Sequence, residues 1–166
     1  MQNADKQDLI LVRELNAPRE LVYKVWTEAE HLAHWWGPVG MGIKIHKFDF
    51  KPEGIFHYSM EAPNGYTMYG RFRFVEMNAP EKLVFVNSFA DAEGNIIRTD
   101  MLPDWPLEVH NTLTLTENNG KTTLTLRGRP INATEAEVKA FNGNKQSMQQ
   151  GFGGTFAQLE AYLQKL

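Results

Sequence analysis

The period of the apolar residues changes twice along this chain, and that change limits the possible folds more than any other feature. From Leu21 to Trp36 apolar residues recur at helical spacing; from about 41 to 129 they alternate; after Thr134 they return to steps of three and four. A chain patterned this way builds an antiparallel sheet flanked by helices, not a bundle and not repeated βαβ units.

Leu9 to Leu15 reads as a first strand, stopped by Asn16-Ala17-Pro18. Pro18 falls in the first turn of a helix, where its missing N–H costs nothing, and Leu21, Val22, Val25 and Trp26 share that helix's apolar face. Thr27-Glu28-Ala29-Glu30 fits a capping box for a second short helix, which Gly37-Pro38 ends. Strands are expected at 41–50, 54–62, 66–77, 82–89, 107–117 and 121–129. Between them stand Pro52-Glu53-Gly54, Pro63-Asn64-Gly65, Asn78-Ala79-Pro80 and Asn118-Asn119-Gly120, all turn formers. Such short connections imply antiparallel neighbours. Segment 90–106 is too long for a plain hairpin, and its Met101, Leu102 and Trp105 are expected to fold back over apolar surface. A capping box at Thr134 to Glu137 opens a short helix ending near Asn142-Gly143-Asn144. A long helix over 145–164 follows. The expectation is one α+β domain over 8–166, with seven strands curved around the last helix, and a flexible polar tail over 1–7.

The last helix carries a stripe of Met148, Phe152, Phe156, Leu159 and Leu163. Gly151, Gly153 and Gly154 interrupt it. Each costs roughly 1 kcal/mol relative to Ala in a helix interior, so some gain should offset them. Either the helix kinks there, or the glycines allow close backbone approach or leave room for a pocket against the sheet. The facing strands supply apolar side chains at alternate positions: Phe56, Tyr58 and Met60; Phe72 and Phe74; Phe85 and Phe89; and Val109, Leu113 and Leu115. Asn87 and Asn111 share those faces, and a buried amide needs a partner. They pair with each other or with water, or they orient a ligand. The candidate ligand-binding set is these aromatic, Met and Asn positions together with Met148, Phe152 and Phe156 from the helix, and Trp36, Met101 and Trp105 at the mouth.

Composition excludes several classes. There is no cysteine, so disulfides, thiolate metal sites and cysteine nucleophiles are ruled out. A net charge of −3 gives no reason to expect nucleic acid or an anionic membrane as partner. The polar start of the chain has no signal-peptide character, which makes a cytoplasmic protein the expectation. His31 and His34 stand three apart on the second helix, but a metal would need a third ligand and no metal motif is present. Neither a metal nor a cofactor is expected. Glu108 and His110, like Arg71 and Arg73, alternate onto the face opposite the core. No nucleophile elbow, phosphate-cradling loop or dinucleotide fingerprint is found.

Several ordered segments resemble the START-like helix-grip superfamily, and more closely the bacterial proteins similar to the activator of the 90-kDa heat-shock-protein ATPase. They are Ala17-Pro18-Arg19-Glu20-Leu21-Val22, Trp35-Trp36-Gly37-Pro38, Asp49-Phe50-Lys51-Pro52-Glu53-Gly54, Trp105-Pro106-Leu107-Glu108 with Asn111-Thr112, and Ser147-Met148-Gln149-Gln150-Gly151-Phe152. The resemblance implies a hydrophobic pocket between sheet and long helix for a lipid-like, aromatic or polyketide-like molecule. It is compatible with a carrier, with a cyclase- or hydrolase-type enzyme, or with a stress-related module that meets the heat-shock ATPase, as monomer or homodimer. No counterpart of the separate N-terminal domain of the eukaryotic co-chaperone is expected, and ATPase activation is therefore not the expectation.

Overall fold

The computed structural model describes residues 8–166; segment 1–7, expected above as a tail, lies outside the described residues. In chain order the elements are β1 (Leu9–Leu15), α1 (Arg19–Thr27), α2 (Ala29–Trp35), β2 (Gly42–Phe48), β3 (Ile55–Glu61), β4 (Thr67–Asn78) and β5 (Lys82–Ala90). After them come β6 (Val109–Asn118), β7 (Lys121–Pro130), α3 (Glu135–Gly143) and α4 (Lys145–Leu163). The strands form one sheet in the order β1-β7-β6-β5-β4-β3-β2, every pair antiparallel. Strands β2 to β7 are a meander, and β1 joins it at the β7 edge. With α4 held in the concave face, this is the α+β helix-grip arrangement.

Alternation sorts the side chains as the sequence implies. Phe56, Tyr58 and Met60 of β3, Phe72 and Phe74 of β4, Leu83 and Phe85 of β5, and Leu124 and Leu126 of β7 enter the core. They meet Val22, Val25 and Trp26 of α1 and Phe156, Leu159 and Leu163 of α4. Burying each large apolar side chain contributes roughly 1.5–3 kcal/mol, so this face holds the fold together. Register shifts at Ile45/Lys47 and at Phe74/Glu76 mark bulges, which add the local bend that wraps the sheet around the helix.

Some local expectations are corrected. Thr27 does not cap α2: it is buried in the last turn of α1, and its hydroxyl donates to the Tyr23 carbonyl at 2.8 Å. Only Glu28 separates the two helices, so Thr27 is still helical and reaches the carbonyl four residues back. The Thr134–Glu137 box does form, with Glu137 N–H donating to Thr134 Oγ1 at 3.1 Å and Thr134 N–H to Glu137 Oε1 at 2.9 Å. Gly143 remains inside α3, and Asn144 joins α3 to α4, its side chain donating to the Ala140 carbonyl at 2.8 Å.

The helix glycines are also not where a pocket would need them. Gly151 is exposed, and a Cβ on Gly151 or Gly153 would meet nothing within 4 Å. Gly154 matters for approach to the chain after α2, since its Cβ would come within 3.3 Å of Val39. There Thr155 Oγ1 and Gln158 Nε2 donate to the Gly37 carbonyl at 3.0 and 2.8 Å. The helix is docked onto the end of α2 at this point, while Arg13 of β1 donates to the Gly153 carbonyl at 3.4 Å.

Candidate functional site

Beneath the first half of α4 the concave face is not filled. A cavity of about 180 Å³ lies between strands β3 to β7 on one side and Met148 and Phe152 of α4 on the other. Phe141 of α3, Leu9 of β1 and Trp105 of the β5–β6 connection complete its apolar wall. Trp105 is held over α3 by its ring contact with Phe141, centroids 5.6 Å apart. Arg98 fixes that loop, donating to the Pro103 and Trp105 carbonyls at 3.1 Å each and pairing with Glu137 at 2.8 Å. The Thr134 amide and the Arg98 guanidinium together hold the Glu137 carboxyl below its ordinary range.

The polar end of the cavity is an amide pair. Asn111 Nδ2 donates to Asn87 Oδ1 at 2.7 Å and to the Val109 carbonyl at 3.1 Å. The carbonyl of Val109 can only accept, so it fixes which way the Asn111 amide faces, and Asn111 in turn obliges Asn87 to present its oxygen. Asn87 lines the cavity, and its Nδ2 has no protein acceptor among the described residues.

Two strand glycines make room for these side chains. Gly70 stands opposite Tyr58, where a Cβ would lie 2.6 Å from the phenol oxygen. Gly128 stands opposite Asn111, where a Cβ would lie 2.9 Å from Oδ1. Without them the Tyr58 ring and the Asn111 amide could not lie flat on the neighbouring strand. Burial pushes the Tyr58 phenol up to about 12; the Trp36 indole N–H opposes that shift but is not aligned for a hydrogen bond.

The sequence-derived candidates divide into three groups. Tyr58, Asn87, Phe89, Trp105, Asn111, Met148 and Phe152 line the cavity. Trp36, Phe56, Met60, Phe72, Phe74, Phe85 and Phe156 are buried in the main core beside it. That end is filled by their own ring contacts, such as Phe72 stacked on Phe85 at 4.2 Å and Trp36 edge-on to Phe72 at 5.1 Å. Trp36 is therefore a core residue and not part of a mouth. Met101 is 62% exposed, its sulfur 4.0 Å from the Tyr66 hydroxyl, and it is not among the residues that line the cavity. Leu9, Met68, Gly70, Gly128 and Phe141 were not among the candidates yet line the cavity. The lone glycines inside alternating strands were the readable signal for two of them.

Other polar clusters lie away from this cavity. The ligand atoms of Glu28, Glu30 and His31 lie within 4.8 Å of one another, the one such metal-capable group among the described residues. His31 Nδ1 is hydrogen-bonded to Tyr162 at 2.6 Å, and the His34 ring stacks on the same tyrosine. Neither histidine approaches the cavity. On the convex face, His46 Nε2 meets Ser59 Oγ at 2.8 Å, and burial, then His57 and Lys44, lower the His46 pKa. Arg71, Arg73, Glu108 and His110 share that face, Arg71 donating to the Gly94 carbonyl at 3.1 Å.

Among solved structures, a protein from Arthrobacter aurescens superposes with a TM-score of 0.81 at 23% identity, covering 100% of this chain and 91% of that one. A protein from Mycobacterium smegmatis gives 0.79 at 22% identity, covering 99% and 96%. One from Staphylococcus epidermidis gives 0.77 at 26%, covering 100% and 94%. No curated protein sequence matches significantly. No helix among the described residues is long and apolar enough to cross a membrane. The model of the Activator of Hsp90 ATPase homolog 1-like protein family matches residues 16–164, and the chain belongs to that family.

Proposed function

We propose that this protein binds a small apolar molecule, about one aromatic ring in size and carrying a hydrogen-bond acceptor such as a carbonyl. The observation that carries this reading is the cavity of about 180 Å³ in which Asn87 Nδ2 has no protein acceptor. A dry apolar cavity of roughly 150 Å³ is sufficient for benzene, so the volume favours a ring-sized guest over a long lipid or a multi-ring polyketide. Apolar walls with few convergent polar groups are the usual composition of such sites.

Binding is favoured over cyclase or hydrolase chemistry by what the walls contain. General acid–base catalysis requires a group that titrates near working pH. The residues around this cavity include no carboxylate, histidine, lysine or arginine, and the Tyr58 phenol is pushed up to about 12. Calorimetric titration with acetophenone and with ethylbenzene tests the reading. Both should bind saturably, the ketone about tenfold more tightly, and Asn87→Leu should abolish the difference. Equal affinities in the unaltered protein, or no saturable heat for either compound, would contradict it.

A further inference from the structure

A second groove lies on the opposite face of the strands that floor the cavity. Side chains alternate along β6 and β7, so Asn111 and Gly128 face inward while His110, Thr112, Thr114, Thr125, Arg127 and Arg129 face out. Those six residues, with Ile10 of the edge strand β1, line a groove of about 450 Å³. It contains donors and no carboxylate. Arg127 turns its Nε toward Asp8 at 3.4 Å. For Arg129 and the hydroxyls of Thr112, Thr114 and Thr125 no partner is present among the described residues.

We propose that this groove binds a phosphate monoester of a small organic alcohol, with the phosphate between Arg127, Arg129 and the threonine hydroxyls and the organic part against Ile10. Guanidinium groups recognise the planar pair of oxygens on a phosphate through two parallel hydrogen bonds. A carboxylate offers two oxygens, too few for this number of donors, whereas a tetrahedral dianion offers three terminal ones. The groove exceeds the size of a free phosphate, and Ile10, 43% exposed, supplies apolar surface beside the charged end. Two other arginines of the convex face are already engaged: Arg73 pairs with Glu53 at 3.0 Å and lies 3.9 Å from Glu108, and Arg71 donates to Gly94. The site does not depend on the cavity or on its ligand.

Amide and arginine side-chain NMR of the full chain, titrated with inorganic phosphate and with phenyl phosphate at constant ionic strength, provides the test. Saturable shifts at Thr112, Thr114, Thr125 and Arg129 are expected, with phenyl phosphate binding more tightly than inorganic phosphate. Arg129→Gln should weaken both by about tenfold, the size expected for one charge-assisted contact, at an unchanged unfolding midpoint. Ile10→Thr should reduce only the advantage of phenyl phosphate. If chloride reproduces the shifts, if they fail to saturate, or if folded Arg129→Gln binds as the unaltered protein does, the proposal is overturned.

Discussion

The two ends of the concave face are built from the same strands but solve different packing problems. Around Trp26, Trp36, Phe56, Phe72 and Phe85 the rings fill the space between sheet and helices, with centroids 4.2–6.3 Å apart. Around Asn87, Asn111, Phe141 and Met148 one hydrogen bond joins the two amides, Asn87 Nδ2 keeps no protein acceptor among the described residues, and a volume of about 180 Å³ is left. The filled end carries stability. The open end is tied down by Arg98, and it is the end to which we assign the proposed ligand.

The comparison breaks most visibly at the filled end. Phe72→Ala should cost about 3–5 kcal/mol in denaturant unfolding, because the stacked Phe85 loses its partner in a region with no room to collapse. A cost near 1 kcal/mol would mean that the end is loosely packed. Next in size is the alkaline edge of stability. Tyr58 titrates at about 12 in the folded chain and at about 10 when unfolded. Its raised value therefore leaves stability intact below pH 10, and about 2–3 kcal/mol is lost as pH climbs from 10 to 12. Tyr58→Phe should remove most of that loss, with the smaller contribution of Tyr23, also raised by burial, remaining.

Gly70→Ala should cost about 1–3 kcal/mol, since its Cβ would press on the Tyr58 ring. Combined with Tyr58→Leu the cost should shrink, which a double-mutant cycle would show. The smallest effect is expected at the open end. Met148→Ala should change stability by about 1 kcal/mol or less, because Met148 already borders empty space. A loss as large as that of Phe72→Ala would mean the two ends do not differ.

Much of this fold was legible in residue patterning. Strand alternation places Phe56, Phe72 and Phe85 on the core face, and the Thr134-to-Glu137 spacing marks the start of α3. The long helix was also legible, but the role of its glycines was not. Gly151 and Gly153 face open space, and Gly154 approaches Val39, a contact between segments 115 residues apart in sequence. Local spacing carries no record of such an approach. The cavity's position was hidden for the same reason. Whether a stripe residue such as Phe152 or Phe156 borders space depends on what faces it, and Phe141, Leu9 and Gly128 come from three separate parts of the chain. Trp36 and Met101 failed as mouth residues for opposite reasons: one is enclosed by rings, the other projects from the loop whose Arg98 anchor turns Trp105 inward.

The methionines allow the contrast between the two ends to be read in one experiment. Met148 and Met68 border the cavity, Met60 lies in the filled end, and Met101 is exposed. Methyl-labelled NMR during an acetophenone titration should show saturable shifts of the Met148 and Met68 methyl groups with a single dissociation constant, while Met60 and Met101 stay in place. No saturable shift at Met148, or equal shifts at Met60 and Met101, would contradict a binding cavity at the open end.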